Sequence, residues 1–493
     1  MAKEGPKHAV NAHPRWFTPL RLLGIFCMTN LVVYLDRGLI ASNGVNGSPR
    51  TVEDPRGSGI QGEFGLSYFQ DGLLPAFFMV GLLLSSPVFA EACKHVSGFR
   101  LLGAGMGVWA AAVLGCGGAP SFGWLLVARA FVGVGEASFV ALAAPFIDDF
   151  APVSQKTRWF AAFYLCIPVG FAAGYIVGGL LPALLGSWRW AFVAEGLAMT
   201  PFIAFALTAQ PLHLRGSSSS SSSHRSRFSN HHHPHNHQHL QQQHPTASRW
   251  RALLREFGAD VATVCRQRVW VAVCAAYTAY VAVLGVYAYW GPQAGRQLFF
   301  GPGSGSGSGS GGGENADMVF GGVTVLTGVL GSVAGGWALD SLGASLRSAC
   351  LLSAGSCVAG MAVLLVAFGA AGSFAGFMAA FAVGQLLIFL LQAPVAALGM
   401  WCVPPALRPL GASLMTVSIH LLGDVPSPPL VGLLQGRLAA GKDPAAAAQQ
   451  WRVSLSVCSL LLLVSGGLFL VAAWQAGPGT DYRGKTGEDE EEE

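Results

Sequence analysis

Residues 129 to 139 read RAFVGVGEASF, and the way this stretch is read decides the fold. Arg129 and Glu136 stand inside an otherwise apolar, glycine-rich run from Gly123 to Ile147. Their separation is about two helical turns, so both side chains share one face of a helix, roughly 10 Å apart. Gly133 and Gly135 lie between them and let a neighbouring helix approach closely. A charge left facing lipid costs about 3 kcal/mol or more, so each must face a protein interior or a water-filled cavity and find a partner there. The first apolar segment, NLVVYLDRGLIA, supplies the candidates, Asp36 and Arg37.

Composition widens the reading from one helix to the chain. Over 493 residues, 52% are hydrophobic and 11% charged, and the mean hydropathy is +0.49. Such a chain is too apolar for a soluble protein. A membrane span needs about 20 mainly apolar residues. Twelve segments of that kind are expected, near 19–43, 67–91, 99–118, 122–147, 158–184, 189–210, 269–293, 316–340, 347–370, 373–402, 409–435 and 452–475. The fold class is therefore all-α membrane protein. If the N-terminus is cytoplasmic, cytoplasmic tails and loops hold 20 of the 29 Lys and Arg residues and the other side holds 7. That bias puts both termini in the cytoplasm. The net charge of +4 reflects it, and the basic residues form no stripe, so a nucleic-acid partner is excluded. The ten cysteines show no metal-ligand spacing and read as small buried residues. No cleavable signal is expected, because the first apolar segment is full length and carries Asp36 and Arg37.

The organisation along the chain is five-part. Residues 1–18 form a cytoplasmic tail, 19–210 a first set of six helices, 211–268 a connection, 269–475 a second set of six, and 476–493 a tail ending in EDEEEE. The connection carries seven serines from Ser217 to Ser223 and eight histidines between His224 and His244. It reads as a disordered, low-complexity cytoplasmic loop. A glycine and serine run, Gly301 to Gly313, reads as a flexible external linker. In the fifth segment Gly170, Gly174 and Gly178 repeat at spacing four, either for plain helix packing or for sliding between two halves. Helix 6 opens with SWRWAF, an interfacial anchor, and Glu195 follows as a further intramembrane charge. In the eleventh, IHLLGDVPSPPLVG puts His420 and Asp424 one turn apart, with Pro426, Pro428 and Pro429 breaking the helix beyond them.

Twelve helices divided six and six resemble the layout of the major facilitator superfamily. GGWALDSLG, with Asp340 and Arg347 beyond it, resembles that superfamily's cytoplasmic gating motif, and RAFVGVG resembles its helix 4 motif. The glycine ladder resembles the antiporter-associated motif, with Tyr175 where a proline is usual. FAEACKHVSGFR departs from the gating motif, with Lys94 and His95 where an Asp-Arg pair is usual. Within the superfamily, NLVVYLDRGLIASNGVNG, VGVGEAS and HLLGDVPSPPLVGLLQ resemble the Spinster family, in particular its plant and algal branch. The resemblance implies export of amphiphilic lipids, either a sphingolipid such as sphingosine 1-phosphate or a lysophospholipid, driven or regulated by protons. It also implies an endolysosomal, vacuolar or other internal membrane, and a monomer.

Asp36 lies about 17 residues into an outward helix and Arg129 about 7 residues from the outer end of an inward one, so both fall in the same half of the membrane. Asp36 and Arg129 or Glu136 are expected to meet across a cavity, in a cluster of two acids and two arginines. A carboxylate in such a low-dielectric site has its charged form disfavoured, which suits Asp36 and Glu136 to proton coupling. Arg37 and Arg129 suit a lipid head group, or else an ion network that only locks helices. His420 and Asp424 suit a second titrating pair, a self-satisfied pair, or a metal contact, which keeps a metal-cation or small-anion transporter as the alternative. An enzyme is not expected: no nucleophile and base are in reach and no G-x-S-x-G stretch occurs. No cofactor and no resident metal are implied.

Overall fold

In hydrocarbon every backbone N–H and C=O must be satisfied within its own segment, so apolar runs of this length have the helix as their one open-chain solution. The computed structural model describes residues 14, 16–50, 55–93, 96–152, 155–212, 247–301 and 314–482. Among them twelve helices are long and apolar enough to cross a membrane: α1 Pro19–Ala41, α2 Tyr68–Phe89, α3 Gly98–Gly117, α4 Phe122–Ile147, α5 Ala162–Leu185, α6 Arg189–Thr208, α7 Arg268–Phe300, α8 Ala316–Ser341, α9 Leu346–Ala370, α10 Phe374–Trp401, α11 Leu410–Ala439 and α12 Pro444–Gln475. Side chains of Thr18, Ser97, Ser121, Ser345, Ser373 and Asp443 cap six of them by accepting from the first-turn backbone N–H. An even number of spans leaves both ends of the chain on one side, the terminal side, and the α1–α2 loop on the other, the distal side.

Glycines set the packing within the first half. Gly170, Gly174 and Gly178 lie bare against Leu31, Leu35, Gly38, Leu39 and Ser42 of α1 and its end. The ladder is thus a contact inside one half and not a sliding surface between halves. Gly133 meets Phe78 and Leu82 of α2, and Gly135 meets Trp109 of α3. The halves touch each other elsewhere, where Gly72 of α2 lies on Pro428 and Pro429 of α11 and Gly321 of α8 lies on Ala172 of α5.

Three segments differ from the sequence expectation. α7 runs on to Phe300, because the polar stretch Gln293 to Gln297 stays helical and its Gln293 is buried between the halves. α12 starts at Pro444, capped by Asp443, well before residue 452. The connection is not wholly without structure, since Ala247–Arg266 is a helix whose Val264, in its last turn, is fully buried. The serine and histidine runs, residues 302–313, the acidic end of the tail, and Lys94 with His95 lie outside the described residues.

Candidate functional site

Asp36 and Arg37 are neighbours in sequence and so project about 100° apart from α1, toward two different levels of α4. Arg129 donates from Nη1 to Asp36 Oδ1 at 2.6 Å, and Arg37 donates from Nη2 to Glu136 Oε1 at 2.5 Å. The structure therefore brings all four charges together as two crossed pairs. Asp36 and Glu136 are fully buried and Arg129 is 1% exposed, whereas the Arg37 side chain keeps 15% of its surface. Each pair is single-bonded. Asp36 Oδ2, Glu136 Oε2 and both arginine Nε atoms have no hydrogen-bond partner among the described residues. Phe78 of α2 stands beside both guanidinium groups, with its ring centre 4.8 Å from Arg37 Cζ and 5.3 Å from Arg129 Cζ, and Tyr34 flanks Arg37 at 4.7 Å.

In the second half, His420 and Asp424 are joined at 2.9 Å and both are partly exposed. They occupy a π-helical turn, Ile419–Asp424, after which α11 resumes at Ser427 behind its prolines. Such turns aim side chains that an α-helix would misplace, and they recur at functional sites. Asp424 packs on Gly285 of α7 and lies within electrostatic reach of Arg37 and Tyr34 in the first half. Asp340 and Arg347 are both exposed, and among the described residues no ion pair joins them. No three of the described His, Cys, Asp and Glu residues group as metal ligands.

A second polar group, not foreseen from sequence, closes the distal side. Asn43 donates its backbone N–H and its amide to Asp317 of α8, at 2.9 and 2.6 Å, and the amide also reaches Pro292 O. Tyr289 of α7 donates its hydroxyl to Asp71 Oδ1 at 2.7 Å, and Asn46 and Gln61 donate to Oδ2 of the same carboxylate. Gln293 then donates to Gln61 at 3.0 Å. The arrangement is reciprocal, because the distal end of the first helix of one half grips an acid on the second helix of the other. Asp71 and Asp317 sit within the first turns of their helices, where an acid reads as a helix-end residue. Their matching places in the two halves were the available clue.

The Major Facilitator Superfamily profile matches residues 32–428. The Arabidopsis thaliana protein named "Probable sphingolipid transporter spinster homolog 2" is 41% identical over 464 residues, covering 93% of this chain and 88% of its own. The chain belongs to the spinster family. Human "Protein spinster homolog 1" is 28% identical over 462 residues, covering 92% of this spinster chain and 80% of its own. A crystal structure of a bacterial homolog to the human lysosomal transporter Spinster, inward-facing and occupied, has a TM-score of 0.71 at 15% identity over 95% of this chain and 100% of that one, which speaks to fold. As a spinster protein this chain is a multi-pass membrane transporter and not an enzyme. Its crossed ion pairs lie wholly within the first six-helix half, and its distal network lies between the halves.

Proposed function

We propose that this spinster chain moves an amphiphilic lipid with a charged head group, a sphingosine 1-phosphate-like sphingolipid or a lysophospholipid, by proton-coupled alternating access. The observation that carries the reading is the Arg37–Glu136 pair, in which a buried acid holds the cluster's one partly exposed arginine, which lies within electrostatic reach of Asp424. A proton arriving on Glu136 cancels that ion pair and frees Arg37 for an anionic head group. Departure of the lipid lets Arg37 return, which favours release of the proton. The lipid's chain then follows the apolar helix faces. The distal network supports a state closed on that side, and rocking of the two halves opens it. The bias of basic residues supports cytoplasmic termini, the family resemblance supports an endolysosomal or vacuolar membrane, and a monomer suffices for the mechanism.

The test is uptake of labelled sphingosine 1-phosphate and lysophospholipid into proteoliposomes with and without a pH gradient. Wild type is expected to accumulate one of them only with the gradient, and Glu136→Gln, which cannot ionise, to lose that dependence. Gradient-driven uptake undiminished in Glu136→Gln removes this residue from the coupling.

A further inference from the structure

The charge count of the cluster does not close at four residues. Glu195 of α6 is 4% exposed, and neither of its carboxyl oxygens has a hydrogen-bond partner among the described residues. Its charged neighbours are Asp36 of α1 and Arg129 and Glu136 of α4. The Cys116 thiol of α3 is buried and lies within electrostatic reach of Arg129, Asp36 and Glu195. α5 adds no charged side chain over Ala162–Leu185. Three acids therefore face two guanidinium groups, and both guanidinium groups are already bonded to the other two acids.

An ionised carboxylate that is buried without a donor or a partner is prohibitively costly, and such a group takes up a proton instead. The cluster is neutral only when it holds one proton, and the acid with no donor is the one to hold it. Arg129 has a second acid at hand, because Asp36 occupies only one of its nitrogens and its Nε is unbonded.

We propose that Glu195 is a proton-carrying residue of the transport cycle, exchanging roles with Asp36 as the partner of Arg129. In the state described here Arg129 is bonded to Asp36 and Glu195 keeps its proton. When a proton reaches Asp36, that carboxylate becomes a neutral acid, Arg129 turns to Glu195, and the Glu195 proton leaves. One proton enters as one departs, Arg129 stays charged throughout, and the cluster never carries an uncompensated charge. This inference rests on the proton-coupled reading above.

The experiment compares wild type, Glu195→Gln and Glu195→Asp in proteoliposomes, scoring gradient-driven lipid accumulation and lipid exchange at equal pH separately. Glu195→Gln is expected to exchange lipid at the wild-type rate, since an amide matches the neutral acid in shape, and to lose accumulation to the level seen without a gradient. Glu195→Asp, which restores a carboxyl, is expected to recover part of the accumulation. Infrared difference spectra of the purified protein are expected to show a protonated buried carboxyl that is missing in Glu195→Gln. Full accumulation by Glu195→Gln, equal loss of exchange and accumulation in it, or an unchanged infrared band overturns the inference. Wild type that accumulates lipid without regard to the gradient overturns the coupled reading itself and this inference with it, a result distinct from failure of Glu195 alone.

Discussion

The α1–α4 cluster and the distal seam are both buried and both polar, and they are held by different kinds of bond. In the cluster full charges meet full charges, Arg129 with Asp36 and Arg37 with Glu136, and every member belongs to the first half. At the seam the acids Asp71 and Asp317 are gripped by amides, a backbone N–H and a tyrosine hydroxyl; the Asn43 bonds to Asp317 and the Tyr289 bond to Asp71 cross from one half to the other, while Asn46 holds Asp71 from within the first half. The cluster can travel with its half as a unit. Under the proposed alternating access the seam breaks on each cycle, and bonds from neutral donors are the ones a protein can break and remake at modest cost. Breaking a buried ion pair leaves a bare charge worth several kcal/mol, whereas a hydrogen bond to a charged group contributes about 1.5–3 kcal/mol net.

The contrast can be broken at its strong end first. Arg129→Ala leaves Asp36 buried without its cation and is expected to destabilise the protein by about 3–5 kcal/mol, read as a lowered melting temperature in detergent, whereas Asp36→Leu combined with Arg129→Met is expected to recover most of the loss. If the double variant is no better than the single, the pair is not an isolated unit within its half.

The seam is expected to respond in another observable. Asn43→Ala removes the side-chain bonds to Asp317 and to Pro292 O, keeps the backbone bond to Asp317, and should leave the melt little changed, while it shifts the balance toward distal opening by about 1.5–3 kcal/mol, tenfold or more in population. Labelling of a cysteine placed at Val45, itself fully buried, by a membrane-impermeant reagent from the distal side measures that shift. Unchanged labelling would mean that the seam is structural glue like the cluster.

Smallest of all should be the pair Arg189–Glu63, 2.5 Å apart but with side chains 30% and 43% exposed. It is charged like the cluster and hydrated unlike it. Glu63→Gln is expected to cost no more than about 1 kcal/mol in the same melt and to leave transport intact.

How far the chain could be read without coordinates followed from the same physics. Arg129 and Glu136 stood out because an ionised side chain inside an apolar run is rare, and Asp36 with Arg37 was the partner set that a second run offered. Which arginine takes which acid was illegible, because it depends on the rotation of α1 against α4, and that rotation is set by glycine contacts between backbones. Glu195 was visible as a charge but not as the cluster's third acid, since α6 reaches the cluster through its packing on α3 and α1. Gln293 and Asn43 were lost for the opposite reason: polarity at the end of a hydrophobic run reads as the edge of the membrane, although here both are buried where the two halves meet. The helix Ala247–Arg266 was masked by the serine and histidine runs before it. Asp340 and Arg347 could be matched to a motif, but whether they touch is a property of conformation.

The glycine ladder has a mechanical corollary. Because Gly170, Gly174 and Gly178 set α5 close against the backbone of α1, with only Tyr34 Cβ and the small Ser42 side chain beside them, the two helices form one stiff double rod. The same α5 rests through Ala172 on Gly321 of the opposite half. Under the proposed rocking, tilting of the second half bears on α5, and Asp36 on α1 moves with it. Asp36 is thus geared, through α5, to the half of the molecule opposite its own.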